Sequence, residues 1–288
     1  IGCPHCSVAL KPHMHNGIVD RMKCHFCGYE IPLPAACPSC GSKYIGTFGI
    51  GTQQVEEAAK KRFQGARILR MDADTTGGKD GHSRILGQFG RGEADILIGT
   101  QMIVKGHDFP NVTLVGIIAA DLSLNAGDYR AAERTYQLIA QAAGRAGRGG
   151  KSGEVVLQTY QPSHYSIVHA AGQDYESFYN QEISIREMLH YPPVSNILGI
   201  LVFSENEESA SKLAGIISEI AEQYQTVTVL GPADAPVAKA KDIYRKMVYG
   251  KCMDYSTLCS VKDYIEAFKE QDTEFRDCGI NFEFNINR

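Results

Sequence analysis

The stretch "QLIAQAAGRAGRGGKSGEVV", Gln137 to Val156, carries two competing signatures. Gly150-Lys151-Ser152 ends like a phosphate-binding loop, whereas Gln141-x-x-Gly144-Arg145-x-Gly147-Arg148 reads differently. The loop needs a glycine, four residues and then Gly-Lys-Ser/Thr, so that backbone N–H groups ring the phosphates and the lysine meets the outer ones. Counting back from Gly150 puts the first glycine at the place held by Arg145, and no other stretch of the chain meets the spacing. The preceding "AERTYQLIAQAAG" sets Ala132, Tyr136, Ile139 and Ala143 at helical spacing, where the loop would need a strand. The segment therefore reads as a helix stopped at Gly149-Gly150 and followed by the strand "GEVVLQTY". What remains is a helix ending in two arginines, Arg145 and Arg148, with Gln141 one turn earlier. Arginines at (i, i+3) share a face, and their forks suit phosphate oxygens; an arginine reaching a γ-phosphate from another subdomain stabilises phosphoryl transfer. A solvated helix end, favoured by the helix dipole, is the other reading of these residues.

Outward from this stretch the pattern alternates helix and strand. "TQQVEEAAKKRF" reads as a helix with Thr52 as cap, "ARILRMD" as a buried strand and "DGHSRILGQFGRG" as a helix. "ADILIGT" and "VTLVGIIAAD" are further buried strands. Short apolar strands separated by helices predict a parallel sheet with helices on its faces, and functional groups at the strands' carboxyl ends. Asp72 and Asp74, Thr100-Gln101, and Asp121 fall there. The loop "TQMIVKGHDFPNV" mixes Lys105, His107 and Asp108 with glycine and proline, and is either a functional loop or an ordinary surface connection.

Length, at 288 residues, allows one large or two to three small domains, and 43% hydrophobic with 22% charged residues suits a soluble globular chain. A net charge of −4 means that nucleic-acid binding must come from local patches. No apolar run approaches a membrane span, and no signal peptide is seen. The chain opens on "IGCPHC" without a methionine, as a fragment would.

Six of the nine cysteines form three Cys-x-x-Cys pairs in the first 40 residues. Clustered pairs at this spacing favour a metal over a disulfide scaffold. Cys3, Cys6, Cys24 and Cys27, with 17 residues between the pairs, predict a complete four-cysteine zinc site on two knuckles. Cys37 and Cys40 have the same knuckle form and read either as half of a second zinc site or as a free dithiol. A segment this short builds little core, so metal supplies most of its folding energy. Its four basic residues, Lys11, Arg21, Lys23 and Lys43, outnumber Asp20 and Glu30.

Beyond the break "YPP" at 191–193 come the strand "NILGILVF", a helix with Leu213, Ile216, Ile217, Ile220 and Tyr224 on one face, and a strand "TVTVLGP" closed by Gly-Pro. "DIYRKMVYGKC", "YSTLCSVKDYIEAFKEQ" and the alternating "INFEFNIN" complete a βαββαβ order, a ferredoxin-like layout. Within "PVAKAKDIYRKMVYGK", Lys239, Lys241, Arg245, Lys246 and Lys251 face a single acid, Asp242, with Tyr244 and Tyr249 interleaved. That mixture suits a nucleic-acid backbone with base stacking, or serves as a solubilising basic hairpin.

"GTQMIVKGHDFPNVTLV" followed by "QAAGRAGR" resembles motifs V and VI in the second RecA-like lobe of superfamily 2 helicases. Together with "CPHC…CHFC…CPSCGS", "FGIGTQQVEE", "RMDADTT" and "YPP", the chain resembles the bacterial primosomal replication-restart helicases across essentially its whole length. The resemblance implies an α/β fold: a zinc segment over 1–48, a RecA-like lobe over 49–190 and a ferredoxin-like α+β DNA-binding domain over 191–288, likened to a ribosomal S-ten-type protein. It implies an ATP-dependent 3′→5′ DNA helicase that recognises stalled or branched forks and restarts replication by primosome assembly. Arg145 and Arg148 would contact the γ-phosphate, and Gln141 would couple ATP to that helix. Gly99, Thr100, Lys105, Gly106 and Asp108 would sense nucleotide and DNA backbone. Lys239, Lys241, Tyr244, Arg245 and Lys246 would touch DNA. Cys37 and Cys40 would join a pair outside these residues to hold a second zinc. ATP and Mg²⁺ would be bound mainly by the family's first lobe, which these residues lack, so the chain alone is not expected to hydrolyse ATP. The implied partners are branched and single-stranded DNA, primosome proteins and single-stranded DNA-binding protein, with no membrane, in the bacterial cytoplasm at the nucleoid. A non-catalytic zinc module binding nucleic acid or ribosomal partners is the rival reading; it has no reason to carry motifs V and VI.

Overall fold

The computed structural model describes all residues except 16–17, 44–50, 73–74, 78–79, 105–108, 148–151 and 286–288. By packing, the chain forms two units, Phe48–Glu182, and Ile1–Thr47 together with Ile183–Arg288. The sequence divided the chain at 48/49 and 190/191; in the structure the second change of unit falls at 182/183.

The first unit follows the expected alternation. Helix α1 (Thr52–Arg62) leads to β4 (Ile68–Met71), α2 (Gly81–Gly90) and β5 (Ile96–Gly99), and β4 and β5 pair in parallel with Met71 opposite Gly99. A 3-10 turn, Gln101–Val104, follows. Then come β6 (Leu114–Ile117), the short α3 (Asp121–Leu124), α4 (Ala131–Ala143), and β7 (Glu154–Leu157), parallel to β6. Helices α5 (Tyr165–Ala171) and α6 (Tyr175–Leu189), the latter crossing the change of unit at 182/183, were not anticipated from sequence. The strands are thus parallel, and among the described residues they form two pairs. Tyr136 and Ile139 of α4 pack with Ile167, Ala170 and Phe178 of α5 and α6, and the Tyr136 and Phe178 rings stack at 4.2 Å.

Three local expectations are corrected here. Gly51, not Thr52, is the N-cap of α1; the Thr52 hydroxyl instead donates to Asp72. Asp121 opens α3 rather than ending a strand, because β6 stops at Ile117. Helix α4 ends at Ala143 on Gly144, well before Gly149-Gly150. Gly144, with no side chain to extend the apolar face, lets the chain tighten: Arg145 N–H reaches Ala142 O (3.0 Å) and Ala146 N–H reaches Ala143 O (3.2 Å).

In the second unit, β1 (Lys11–His15), β2 (Ile18–Lys23) and β3 (Glu30–Pro32) form a small antiparallel sheet. Its core is Leu10 and Met22 packed on Cys3, Cys6 and Cys24. The rest comprises β8 (Asn196–Ser204), α7 (Glu207–Glu222), β9 (Thr228–Ala240), β10 (Ile243–Cys252), α8 (Tyr255–Gln271) and β11 (Gly279–Phe284). The sheet is antiparallel in the order β11-β8-β10-β9, the ferredoxin-like arrangement that βαββαβ chain order demands. Leu198, Ile200 and Val202 alternate along β8 onto the helices, where they meet Leu213, Ile217 and Leu258. Ile280, Phe282 and Phe284 pack onto this core, as their alternation predicts. Asn206 caps α7 through Glu208 and Ser209 N–H, and Asp254 caps α8 through Ser256 and Thr257 N–H.

Strand β9 does not end at Gly231-Pro232, as expected, but runs through it. It is an edge strand, where a missing N–H is tolerated, and the pairing with β10 shifts register there. Gly231 has φ +107°, and a Cβ would stand 2.7 Å from Met247 O, so only glycine fits the bulge.

Candidate zinc centre and helicase-lobe site

The two cysteine knuckles are built by tight backbone turns. Gly28 N–H bonds to Cys24 O (2.9 Å) with Gly28 at φ +80°, and Cys24 N–H bonds to Tyr29 O (2.8 Å). Gly41, at φ +69°, closes the third pair in the same way onto Cys37 O (2.8 Å). Cys3, Cys6 and Cys24 are buried and Cys27 is half-buried; their four Sγ atoms lie within 4.8 Å of one another, with Cys3 and Cys27 at 3.5 Å. A tetrahedral Zn²⁺ with Zn–S bonds of about 2.3 Å needs S–S edges near ~3.8 Å, so these side chains fit zinc. Burial pushes the Cys6 thiol up to about 12, whereas the N–H groups of Cys27 and Phe26 draw Cys24 down to about 6. A divalent cation at the centre would hold all four as thiolates. Cys37 is half-buried and Cys40 exposed, and among the described residues no third His, Cys, Asp or Glu joins them.

In the first unit, Gly99 ends β5 against the end of β4. A Cβ at Gly99 would stand 2.6 Å from Met71 O and 2.7 Å from the Ile103 side chain, so the tight turn into Thr100 requires glycine. Thr100 O accepts Ile103 N–H (3.1 Å) to start the 3-10 turn, which packs against α4. Asp72, at the end of β4, is a hub: its carboxylate accepts the Thr52 hydroxyl and Thr75 N–H (3.0 Å) and forms an ion pair with Arg70, whose Nε lies 3.2 Å away. Burial works to raise its pKa, but the Thr52 and Thr75 donors and the Arg70 charge outweigh burial and hold it below the usual carboxylate range. Asp121 accepts the Thr159 hydroxyl (2.8 Å) and Tyr160 N–H, tying the ends of β6 and β7 together.

Gln141 is exposed on α4, and Arg145 is half-buried in the turn beyond it. That turn is fixed from outside: Gly147, at φ +78°, donates to Val112 O (3.0 Å), and Glu154 N–H donates to Thr113 O (2.8 Å). Gly153 packs so closely on the Gly147 backbone that a Cβ would not fit. The end of the 99–113 segment and the Arg145 turn are therefore one hydrogen-bonded assembly. Gly147 was part of the motif read from sequence, but its bond to Val112 O and the close approach of Gly153 were not legible there, although the density of glycine was the available signal. Lys105, Gly106, Asp108, Arg148 and Asp74 lie outside the described residues.

The basic stretch forms the β9–β10 hairpin, and its cations are not all free. Lys246 sits between Asp234 (2.6 Å) and Glu207 (3.3 Å), Lys239 between Asp242 (2.8 Å) and Pro4 O (3.3 Å). Lys251 is buried, donating to Leu189 O (3.2 Å) with its Nζ 3.6 Å from the Tyr191 ring centroid. Among the described residues, the Lys241 and Arg245 side chains have no ion-pair partner; Tyr244 lies beside Lys239. The five expected DNA contacts thus do not form one free basic face.

One unit carries paired parallel strands with a glycine-bound turn and the other a four-thiol centre, and the family comparisons give their class: a helicase C-terminal lobe and a cysteine-rich region. Residues 45–150 match the family described as helicase conserved C-terminal domain, residues 3–32 the PriA DNA helicase Cys-rich region, and residues 187–281 the primosomal protein N C-terminal domain. The replication restart protein PriA of Bacillus subtilis (strain 168) is 44% identical over 272 residues, covering 93% of this chain and 33% of that protein. PriA of Synechocystis sp. is 43% identical over 246 residues (84% and 30%), and PriA of Haemophilus influenzae 35% over 280 residues (95% and 38%). The chain belongs to the PriA family of replication restart proteins and corresponds to their C-terminal portion. It spans about a third of the length of these relatives. No helix among the described residues is long and apolar enough to cross a membrane.

Proposed function

We propose that this chain is the C-terminal portion of an ATP-dependent 3′→5′ DNA helicase that recognises stalled or branched replication forks and restarts replication by primosome assembly. The reading rests above all on the hydrogen-bonded assembly of the 99–113 segment with the Arg145 turn, since a nucleotide and a DNA backbone can be coupled only through segments that move together. In it, Arg145 and Arg148 reach the γ-phosphate of ATP·Mg²⁺ held by a separate lobe, and Gln141 relays the nucleotide state to α4. Gly99, Thr100, Lys105, Gly106 and Asp108 form the segment that senses nucleotide and strand. The 288 residues hold no Gly-x4-Gly-Lys-Ser/Thr, so they reach over to the phosphates from the side.

The functional segments in this reading are 1–48 for zinc, 49–190 for the motor lobe and 191–288 for DNA. Cys3, Cys6, Cys24 and Cys27 hold one zinc, and Cys37 and Cys40 contribute half of another. The zinc segment parts the strands and receives primosome partners and single-stranded DNA-binding protein. DNA contact by the hairpin falls chiefly on Lys241, Arg245 and Tyr244.

ATP hydrolysis by this chain, with and without forked DNA, tests the reading directly. No turnover is expected. DNA-stimulated turnover would mean a complete site within these residues and would overturn it. In the full-length protein, Arg145→Ala or Arg148→Ala should abolish most turnover while leaving fork binding intact; near-normal turnover would remove the arginines from the site.

A further inference from the structure

Three of the four zinc-site thiols take backbone donors from their own knuckles. Cys3 receives the N–H groups of His5 and Cys6, Cys24 those of Cys27 and Phe26, and Cys27 that of Tyr29 at 3.5 Å. Cys6 differs. The N–H of its neighbour Ser7 is turned away to Lys239 O (2.9 Å), and the amide that reaches Cys6 Sγ is that of Lys241, at 3.3 Å and 235 residues further along the chain.

The turn that presents this amide is shaped for it. Lys241 and Asp242 form the two-residue connection between β9 and β10, with φ +53° and +63°, the tight hairpin turn whose twist matches the strands. Around the N–H···S contact the turn is clamped to the knuckle. Asp242 N–H donates to His5 O (2.9 Å), Lys239 N–H donates to Ser7 Oγ (2.9 Å), and Lys239 Nζ reaches Pro4 O (3.3 Å). The Asp242 carboxylate bridges His5 Nδ1 (2.7 Å) and Lys239 Nζ (2.8 Å).

We propose that the β9–β10 turn completes the outer shell of the zinc site, with the Lys241 amide as the supporting donor to Cys6, so that metal binding and the seating of the C-terminal domain on the knuckle are one coupled equilibrium. Four thiolates around Zn²⁺ carry excess negative charge, and N–H groups aimed at sulfur spread it; such outer partners tune metal affinity by about 10–100-fold. A metal-held thiolate is a charged acceptor, whereas a thiol is a weak one, so the Lys241 bond strengthens when metal binds. Linkage then requires the seated hairpin to raise metal affinity by the same factor as metal favours the seated hairpin.

The test uses the whole chain loaded with ¹¹³Cd in place of zinc. A through-bond coupling between ¹¹³Cd and the Lys241 amide proton is expected, with slower exchange of that amide in the metal-loaded than in the stripped protein. Coupling at the Cys27 and Tyr29 amides with silence at Lys241, and equal exchange in both states, would overturn the proposal. Competition with a chromophoric chelator gives a second readout. Lys241→Pro, which lacks the N–H and whose fixed φ of about −65° also unseats the turn, should weaken zinc binding by about 10–100-fold. Lys241→Gly keeps the N–H and suits the positive φ, so it should retain parental affinity. Parental affinity in the proline variant, or equal loss in both, would also refute the assignment.

Discussion

Two glycines in equivalent settings separate a glycine required by packing from one that merely occupies a strand. Gly99 ends β5, and Gly116 lies in β6, each in a parallel pair. A Cβ on Gly116 meets nothing within 4 Å, whereas one on Gly99 stands 2.6 Å from Met71 O and 2.7 Å from Ile103 Cγ2. The isoleucine can rotate away; the Met71 carbonyl belongs to the neighbouring strand's backbone and cannot. Relief of glycine's entropy cost should make Gly116→Ala neutral or more stable by about 0.5–1 kcal/mol. Gly99→Ala adds an overpacking cost of about 1–3 kcal/mol, for a net loss of about 0–2.5 kcal/mol. Amide hydrogen exchange along β4–β5 reads this locally, in conditions where exchange reports opening free energy. A loss of about 1.4 kcal/mol appears as roughly tenfold faster exchange. Because Thr100 and its 3-10 turn hang on Gly99, the same variant of the full-length protein should lose DNA-stimulated ATP turnover, while Gly116→Ala should not. Unchanged β4–β5 exchange and unchanged turnover in Gly99→Ala would show that the approach to Met71 is not a constraint, and the account of this segment would fall with it.

Four further outcomes are expected. Metal chelation should release residues 1–43 from amide protection and expose the β9–β10 turn, leaving β4–β5 exchange unchanged; one cooperative loss of all structure would contradict this. Asn206→Ala should destabilise the C-terminal unit by about 1 kcal/mol through loss of the α7 cap, read by denaturant unfolding. The Thr257 and Ser256 donors hold the Asp254 pKa at about 2, below its unfolded value near ~3.9, so its contribution is present above pH ~4 and lost as pH falls through 2; Asp254→Asn should flatten that dependence, measured on the α8 amides. For DNA, Lys241→Gln and Arg245→Gln should each lower affinity and reduce the salt slope by about 1, while Lys246→Gln, already paired with Asp234 and Glu207, should not change the slope.

The fold was readable where one signal governs an element. Helix α8 matches the expected "YSTLCSVKDYIEAFKEQ", because Asp254 caps it and Leu258, Val261 and Ile265 keep helical spacing. The four-cysteine centre was readable because knuckle spacing is dictated by the metal. Boundaries failed where tertiary contacts compete with local signals. Glycines at 149 and 150 suggested a stop, but α4 ends earlier, where Gly147 is drawn to Val112 O. Gly231-Pro232 suggested a strand end, but at a sheet edge the pair is absorbed as a bulge.

The basic hairpin shows what composition alone leaves out. Five cations against one acid looked like a surface for phosphate, yet Lys246 faces Asp234 and Glu207 from other elements, and Lys239 faces Asp242 and the knuckle carbonyl of Pro4. Local charge counting sees neighbours in sequence, whereas neutralisation depends on neighbours in space. The same holds more strongly for the Lys241 amide: a backbone donor leaves no mark in the side-chain sequence, and its partner is 235 residues away. The hairpin turn that leaves the Lys241 side chain exposed thus turns its backbone N–H toward the metal centre. Lys241 lies in the two-residue turn whose amide reaches Cys6 Sγ, and Arg245 follows it in β10. Under the two proposals above, DNA held by Lys241 and zinc held by Cys6 share one turn, so the zinc release rate should differ with and without forked DNA; equal rates would show that the two are not coupled.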